Sequence, residues 1–299
     1  MSWTARRLEK KLRKAVAKAK QAAEAGGDTS PVIQALTELA NHHRDNAQWD
    51  ELTEAVEERH ALQRQAGQFG PGLIYLAGTL AENGRPEQAL ALLARVDDEL
   101  SGDGIGESSS ERATFYSIQA EVFMAVDRLD DAIGAIRKQV AIARQHPQYS
   151  DYWEMQAYLA SLLQFQQRDH AAAAVERTEL WEHFRHTLSK GPLSYNAIMV
   201  HVANGAALAH AHRELGATAQ AIPVYKALLQ DLAGSDFFGD GTIETFTLMI
   251  ELGECYRDTD DPASAREWVG KADDWRRDHD GDDPQLRERL EALRSAVES

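Results

Sequence analysis

Eleven histidines and one cysteine are the residues of this chain best suited to metal binding, base chemistry or nucleophilic attack. Their spacing assembles no site. His183 and His186 stand three apart, and Glu182 and His186 four apart, so on a helix each pair shares a face. His210 and His212 are two apart and point to different faces of a helix. No His-Glu-x-x-His run is present. Cys255 follows the small Gly253 by two residues and reads as a buried structural thiol rather than a nucleophile. There is no nucleophile elbow and no convincing Ser/His/Asp set.

Two glycine-bearing stretches invite a ligand reading and fail it. "SGDGIGESSSE" (Ser101–Glu111) carries Gly102, Gly104 and Gly106, but no Lys-Ser/Thr follows to complete a phosphate loop. In "RRDHDGDDP" (Arg276–Pro284) Gly281 could take the glycine position of a calcium loop, after Asp278 and Asp280. Arg276 would then stand at the first ligand position and Arg287 at the bidentate one, so the stretch reads as an acidic linker. The expectation is a chain with no catalytic residue, no cofactor and no metal, hence not an enzyme.

The elements that position these residues announce themselves through repetition. In "GLIYLAGTLAENGRPEQALALL", Leu73, Leu76 and Leu80 flank the small Ala77, Gly84 follows at seven, Ala89 at twelve and Leu93 at sixteen. The same offsets around Gly253 give Met249, Leu252, Tyr256, Asp260, Ala265 and Val269. Around Ala209 they give Gly205, Leu208, His212, Gly216, Ala221 and Tyr225, and around Ala120 they give Tyr116, Gln119, Phe123, Asp127, Ala132 and Ile136. Weaker copies centre on Ala40 (Leu36, Leu39, His43, Leu52, Val56) and on Ala160 (Leu159, Leu163, Ala172), the latter with Gln156 and Glu176 at apolar positions. Offsets of three and four place the apolar residues on one helix face. The turn near offset seven ends a first helix, and Pro86 falls in the first turn of a second, where proline is tolerated. Small residues allow the two antiparallel helices to approach, and hairpins that cannot bury their faces alone stack.

This pattern resembles the tetratricopeptide repeat family from about Ser30 to His279. The small residues are spaced 37, 43, 40, 49 and 44 apart, longer than the usual ~34. They resemble the longer-helix variant of about 42 residues known from kinesin light chains and actinobacterial regulators. The resemblance implies an all-α fold, a right-handed superhelix of about six antiparallel hairpins. It divides the chain into a basic amphipathic helix (1–27), the array (28–280) and a capping helix (281–299). In such an array the positions one and four after each small residue line the concave surface. These are Asn41 and Arg44, Gly78 and Ala81, Glu121 and Met124, Ser161 and Gln164, His210 and Arg213, and Glu254 and Arg257. Members of the family usually hold a peptide or protein there. Some clamp a terminal carboxylate with Lys and Asn; Asn41 is suggestive, but the matching pattern is absent from the next copies.

Charge and the termini complete the reading. Formal net charge is −16, which disfavours general affinity for nucleic acid or anionic membrane. Residues 1–25 nevertheless carry eight Lys/Arg against two Asp/Glu, a balance of +6 that leaves −22 on the rest. Ala5, Leu8, Leu12, Ala15, Ala19 and Ala22 form a seam of 3.5 period there, with Val16 and Trp3 beside it. The seam is suited to capping the first repeat, within the chain or across a homodimer. The cationic faces would suit an acidic partner or nucleic acid, and less well an anionic membrane. One cysteine excludes an internal disulfide and fits a cytoplasmic location, and no apolar run nears the roughly 18 residues of a membrane span. The loop "GSDFFGDGT" (Gly234–Thr242) carries Phe237 and Phe238, suited to plugging a gap between repeats or to touching a partner. Three functions compete: an adaptor or scaffold binding a peptide or protein in its groove, a ligand-sensing regulator acting through the basic helix, and an enzyme whose site spacing does not reveal.

Overall fold

The computed structural model describes residues 2–68, 70–102, 110–145, 152–191, 195–234, 242–279 and 283–298. Phe237 and Phe238, most of the Ser101–Glu111 insertion and the centre of the acidic linker lie outside the described residues. Every regular element among the described residues is helical. The chain forms two compact units, Met1–Tyr149 and Ser150–Ser299.

The first unit holds α1 (Trp3–Glu24), α2 (Ser30–Asp45), α3 (Trp49–Gln65), α4 (Gly72–Glu82), α5 (Pro86–Gly102), α6 (Ser110–Ala125) and α7 (Leu129–Gln145). Three hairpins, α2–α3, α4–α5 and α6–α7, stack in order, with α1 packed on α2. The second unit holds α8 (Tyr152–Ser161), a π-helical turn (Leu162–Gln166), α9 (His170–Leu188), α10 (Tyr195–Glu214), α11 (Thr218–Ala233), α12 (Ile243–Asp258), α13 (Pro262–Asp278) and α14 (Pro284–Glu298). Its hairpins are α8–α9, α10–α11 and α12–α13, and α14 closes on α12 and α13.

The repeat is sharper in the backbone than in the side chains. Ala40, Ala77, Ala120, Ala160, Ala209 and Gly253 are all buried where helices cross. Seven residues after the small residue, five copies turn through a left-handed residue: Ala47 (φ 54°), Gly84 (75°), Asp127 (57°), Gly216 (70°) and Asp260 (57°). The amide one residue further on then reaches back five residues, as in Arg85 N to Leu80 O at 2.9 Å and Asp261 N to Tyr256 O at 2.9 Å. This satisfies a carbonyl that the helix end would otherwise strand.

The fourth copy is displaced by one residue. The π turn adds a residue to the first helix, so the left-handed position moves to Arg168 (φ 56°), and Asp169 N reaches back six residues to Leu163 O at 2.8 Å. The second crossing residue becomes Ala173, fully buried, in place of the expected Ala172. The following apolar position falls on Arg177, 3% exposed, rather than on Glu176. Gln156 is buried as the spacing implies; its amide donates to Glu176 and Glu179 carboxylate oxygens at 3.1 and 2.8 Å.

Both ends are covered by amphipathic helices. On α1, Leu12, Val16, Ala19 and Ala23 meet Val32, Ala35, Leu36 and Leu39 of α2. The seam of Ala5, Leu8, Leu12, Ala15, Ala19 and Ala22 is therefore only partly the contact face: Leu8, Ala15 and Ala22 are exposed. The stripe instead centres on Val16, the bulkier side chain, and follows the 3.6 period of a straight helix. On α14, Leu286, Leu290, Leu293 and Val297 are buried. A Cβ at Gly253 would stand 2.8 Å from the Leu293 Cδ2, so α14 lies where only glycine leaves room.

Candidate functional site

Positions one and four after each small residue lie on the first helix of each hairpin, and their environments differ between the units. In the first unit, Asn41 and Arg44 are exposed on α2. They open onto a cleft of about 150 Å³ shared with Leu52, Val56 and Arg59 of α3 and Gly72, Tyr75, Leu76 and Thr79 of α4. The apolar side chains form its floor. Arg59 is half-buried; its Nη1 donates to Thr37 Oγ1 at 3.3 Å and its buried Nε has no partner. Burial pushes the Arg59 pKa down. Gly72 lies against the guanidinium, and any larger residue there would occupy its place. No carboxylate of the described residues pairs with Arg59, and Arg44 meets only its exposed neighbour Asp45, at 3.5 Å. The cleft thus gathers two guanidiniums, an amide and two hydroxyls in a strongly acidic chain.

Further along the first unit, Glu121 lies at the surface of α6. Partial enclosure of its carboxyl, and then the charge of Glu82 on α4, raise its pKa.

In the second unit the equivalent positions pair with each other. The fourth position of one copy meets the first position of the next. Arg213 Nη2 donates to Glu254 Oε2 at 3.1 Å and lies 3.8 Å from Asp258. Glu254 also accepts from Arg289 of α14 at 2.9 Å, and Arg257 pairs with Asp258 at 2.6 Å. Partial burial opposes charge on Arg213, but Cys255, Glu254 and Tyr225 outweigh it and hold the pKa above the ordinary value. Burial pushes the Cys255 thiol up to about 12, so it carries no thiolate at neutral pH.

Gln164, expected on the exposed face, is 1% exposed. The π turn directs it inward, where Oε1 accepts from Arg177 Nε at 2.6 Å and Nε2 donates to Ala207 O at 2.9 Å. Its Nε2 also lies 3.3 Å from Nδ1 of His210, itself exposed. Ser161 is half-buried and accepts from Arg177 Nη2 at 3.2 Å, and Asn204 Oδ1 accepts from Nη1 at 3.3 Å. Among the described residues no carboxylate pairs with Arg177, and burial lowers its pKa to about 10. Two of the histidines are packed into the structure: His43 is buried and bonds Gln48 at 3.1 Å, and the His183 ring stacks on Trp153 at 3.5 Å. Among the described residues no three His, Cys, Asp or Glu gather to hold a metal.

Spacing alone missed Arg59 and Arg177. Arg59 sits on the second helix of its hairpin, outside the positions taken to face a partner. Arg177 lies one residue out of register because nothing in the local sequence announces the π turn.

No family model and no curated protein matches the sequence. Solved structures do match the fold. The apo form of RapI is 12% identical over 99% of this chain and 82% of its own, with a TM-score of 0.55. The Naa15/Naa10 complex bound to HypK-THB gives 18% identity over 89% of this chain, 33% of that one, and a TM-score of 0.57. A putative kinesin light chain from Podosopora anserina with nearly identical TPR-like repeats gives 17% identity over 68% of this chain and 93% of that one. Its TM-score is 0.48. The hairpin stack of this chain is a tetratricopeptide-like repeat fold.

Proposed function

We propose that this protein is a non-enzymatic adaptor, acting in the cytoplasm, that binds a carboxylate-bearing segment of a protein or peptide partner. The cleft between α2, α3 and α4 is its recognition site. One observation carries this reading: Arg59 is a half-buried guanidinium with an unpartnered Nε and no carboxylate, facing the same cleft as Asn41 and Arg44. A cation enclosed in this way gains most from an incoming anion, because Arg–carboxylate hydrogen bonds are short, strong and directional. The cleft has room for one carboxylate and the residue that bears it, and exposed Tyr75 offers a ring to the adjoining side chain. RapI and the Naa15 complex share the fold, and the latter is a protein assembly by its own description, which agrees with a binding role.

The test is fluorescence anisotropy with a labelled hexapeptide of alternating glutamine and leucine, whose one carboxylate is its C-terminus, first as the free acid and then as the amide. The free acid binds the wild-type chain, and Arg59→Gln weakens it about tenfold or more, the loss of one charged hydrogen bond. Equal affinity for wild type and Arg59→Gln contradicts the proposal.

A second reading rests on α1. Its outward face carries Arg7, Lys10, Lys11, Lys14 and Lys18, all exposed and without an ion pair among the described residues. That face would suit an acidic partner or nucleic acid, with binding that falls steeply with salt. If deleting residues 1–25 removes peptide binding while Arg59→Gln retains it, α1 is the binding element.

A further inference from the structure

Among the outer grooves between the second helices of successive hairpins, ion pairs bridge α3–α5 in the first unit and α9–α11 in the second, where Arg185 meets Asp231 at 2.7 Å, but not α11–α13 among the described residues. In the first unit a groove of about 340 Å³ runs between α3 and α5 over Leu80. It is bridged by ion pairs: Arg95 to Glu57 at 2.9 Å and Arg85 to Asp50 at 2.5 Å. In the second unit a groove of about 560 Å³ runs between α11 and α13 over α12. No ion pair crosses it among the described residues. Lysines flank it on both sides: Lys226 from α11 and Lys271 from α13. Lys226 lies 5.2 Å from the centre of the Tyr256 ring and Lys271 lies 4.0 Å from that of Trp268. Lys271 pairs along its own helix with Glu267 at 2.7 Å; Lys226 has no ion pair among the described residues, but its charge also acts on Glu267. Leu229, Met249 and Trp268 supply apolar surface to the same groove.

We infer that this groove binds an amphipathic carboxylate: an anionic head between Lys226 and Lys271, and an apolar body along Leu229, Met249 and Trp268. The volume is in the range of small-molecule sites, roughly 300–1,000 Å³. Glu267 on the groove answers part of the lysines' charge, its pKa held down first by Lys271 and also by Lys226, and a further carboxylate competes with it for the two ammonium groups. The Tyr256 and Trp268 ring faces hold the two ammonium groups at the groove. The groove lies on other helices and in the other unit from the Arg59 cleft, so the two sites stand or fall separately.

The experiment titrates octanoate by isothermal calorimetry into the full chain carrying Arg59→Gln, which silences the first unit's carboxylate cleft, with octanol as the uncharged counterpart. Octanoate binds saturably with one site per chain and at least about tenfold more tightly than octanol. Lys226→Met with Lys271→Met, which keeps the apolar stems, reduces octanoate to the octanol level. Glu267→Gln removes the carboxylate that competes for Lys271 and tightens octanoate about threefold, a gain that misfolding cannot imitate. Equal binding of octanoate and octanol, no saturable heat below the micelle concentration, or a Glu267→Gln variant no tighter than its Arg59→Gln parent overturns the inference.

Discussion

The inner faces of the two units carry arginines at equivalent places and leave them in opposite states. Arg44 and Arg213 each stand four residues after a small crossing residue. The next copy offers Glu254 to Arg213 but only Gly78, with no side chain, at the place equivalent for Arg44. Arg213 is therefore neutralised within the fold, and Arg44 stays available beside Arg59. An exposed position on a repeat helix is thus not yet a binding position. What decides is whether the following repeat supplies the counter-charge. The buried Arg177, held by neutral partners, shows the second unit spending polar groups on its own π turn.

The largest expected effect tests the frame on which this contrast rests. Ala89 is fully buried at a crossing in the first unit, and Ala89→Trp destabilises by about 3 kcal/mol through overpacking, read as a fall in Tm by circular dichroism. An unchanged Tm would mean that Ala89 is not at a close crossing.

Charge reversal separates the two faces next. Arg213→Glu sets a new carboxylate against Glu254 and Asp258 and costs on the order of 2–4 kcal/mol in urea melts. Arg44→Glu, beside no such pair, costs less than about 1 kcal/mol. Equal losses at the two sites would erase the contrast.

Alkaline titration sharpens it further. Cys255 loses its proton near 9 when unfolded and near 12 when folded, because burial opposes the thiolate. Between those values the unfolded state binds fewer protons, so stability falls as pH rises. The loss approaches about 1.4 kcal/mol per pH unit above 9 as an upper bound. Cys255→Ala removes this part of the decline, measured as the slope of stability between pH 9 and 10.5; an unaltered slope would show that the thiol is accessible.

The smallest effects lie in the turns. Ala47 and Arg168 adopt left-handed backbone that glycine accepts freely, so Ala47→Gly and Arg168→Gly each raise stability by about 0.5–1 kcal/mol. Gly84→Ala lowers it by a similar amount, and a reversed sign at any of the three would contradict the turn geometry.

The fold was legible because its periodic signals are local. Small residues, apolar offsets of three and four, and a turn at seven survive degeneration, and all six small residues are buried. The Ala160 copy was legible only in part, since an inserted residue in a helix changes no composition and leaves Gln164 and Arg177 at apparently exposed or irrelevant positions. Arg213 and Arg257 were found as surface residues, but their partners sit about 40 residues on or on the neighbouring residue, and only packing of successive copies reveals Glu254 as the counter-ion. Arg59 left no trace, because its importance comes from the missing side chain at Gly72 and the missing acid around it.

The central claim is that the first unit's cleft, and not the second unit's inner face, receives the partner's carboxylate. A double-mutant cycle tests it most directly, combining Arg59→Gln or Arg213→Gln with the free-acid and amide forms of the hexapeptide. The account predicts an interaction energy of about 1.5–3 kcal/mol between Arg59 and the terminal carboxylate, and one indistinguishable from zero for Arg213. A cycle with no interaction at Arg59, or with the larger interaction at Arg213, would contradict it.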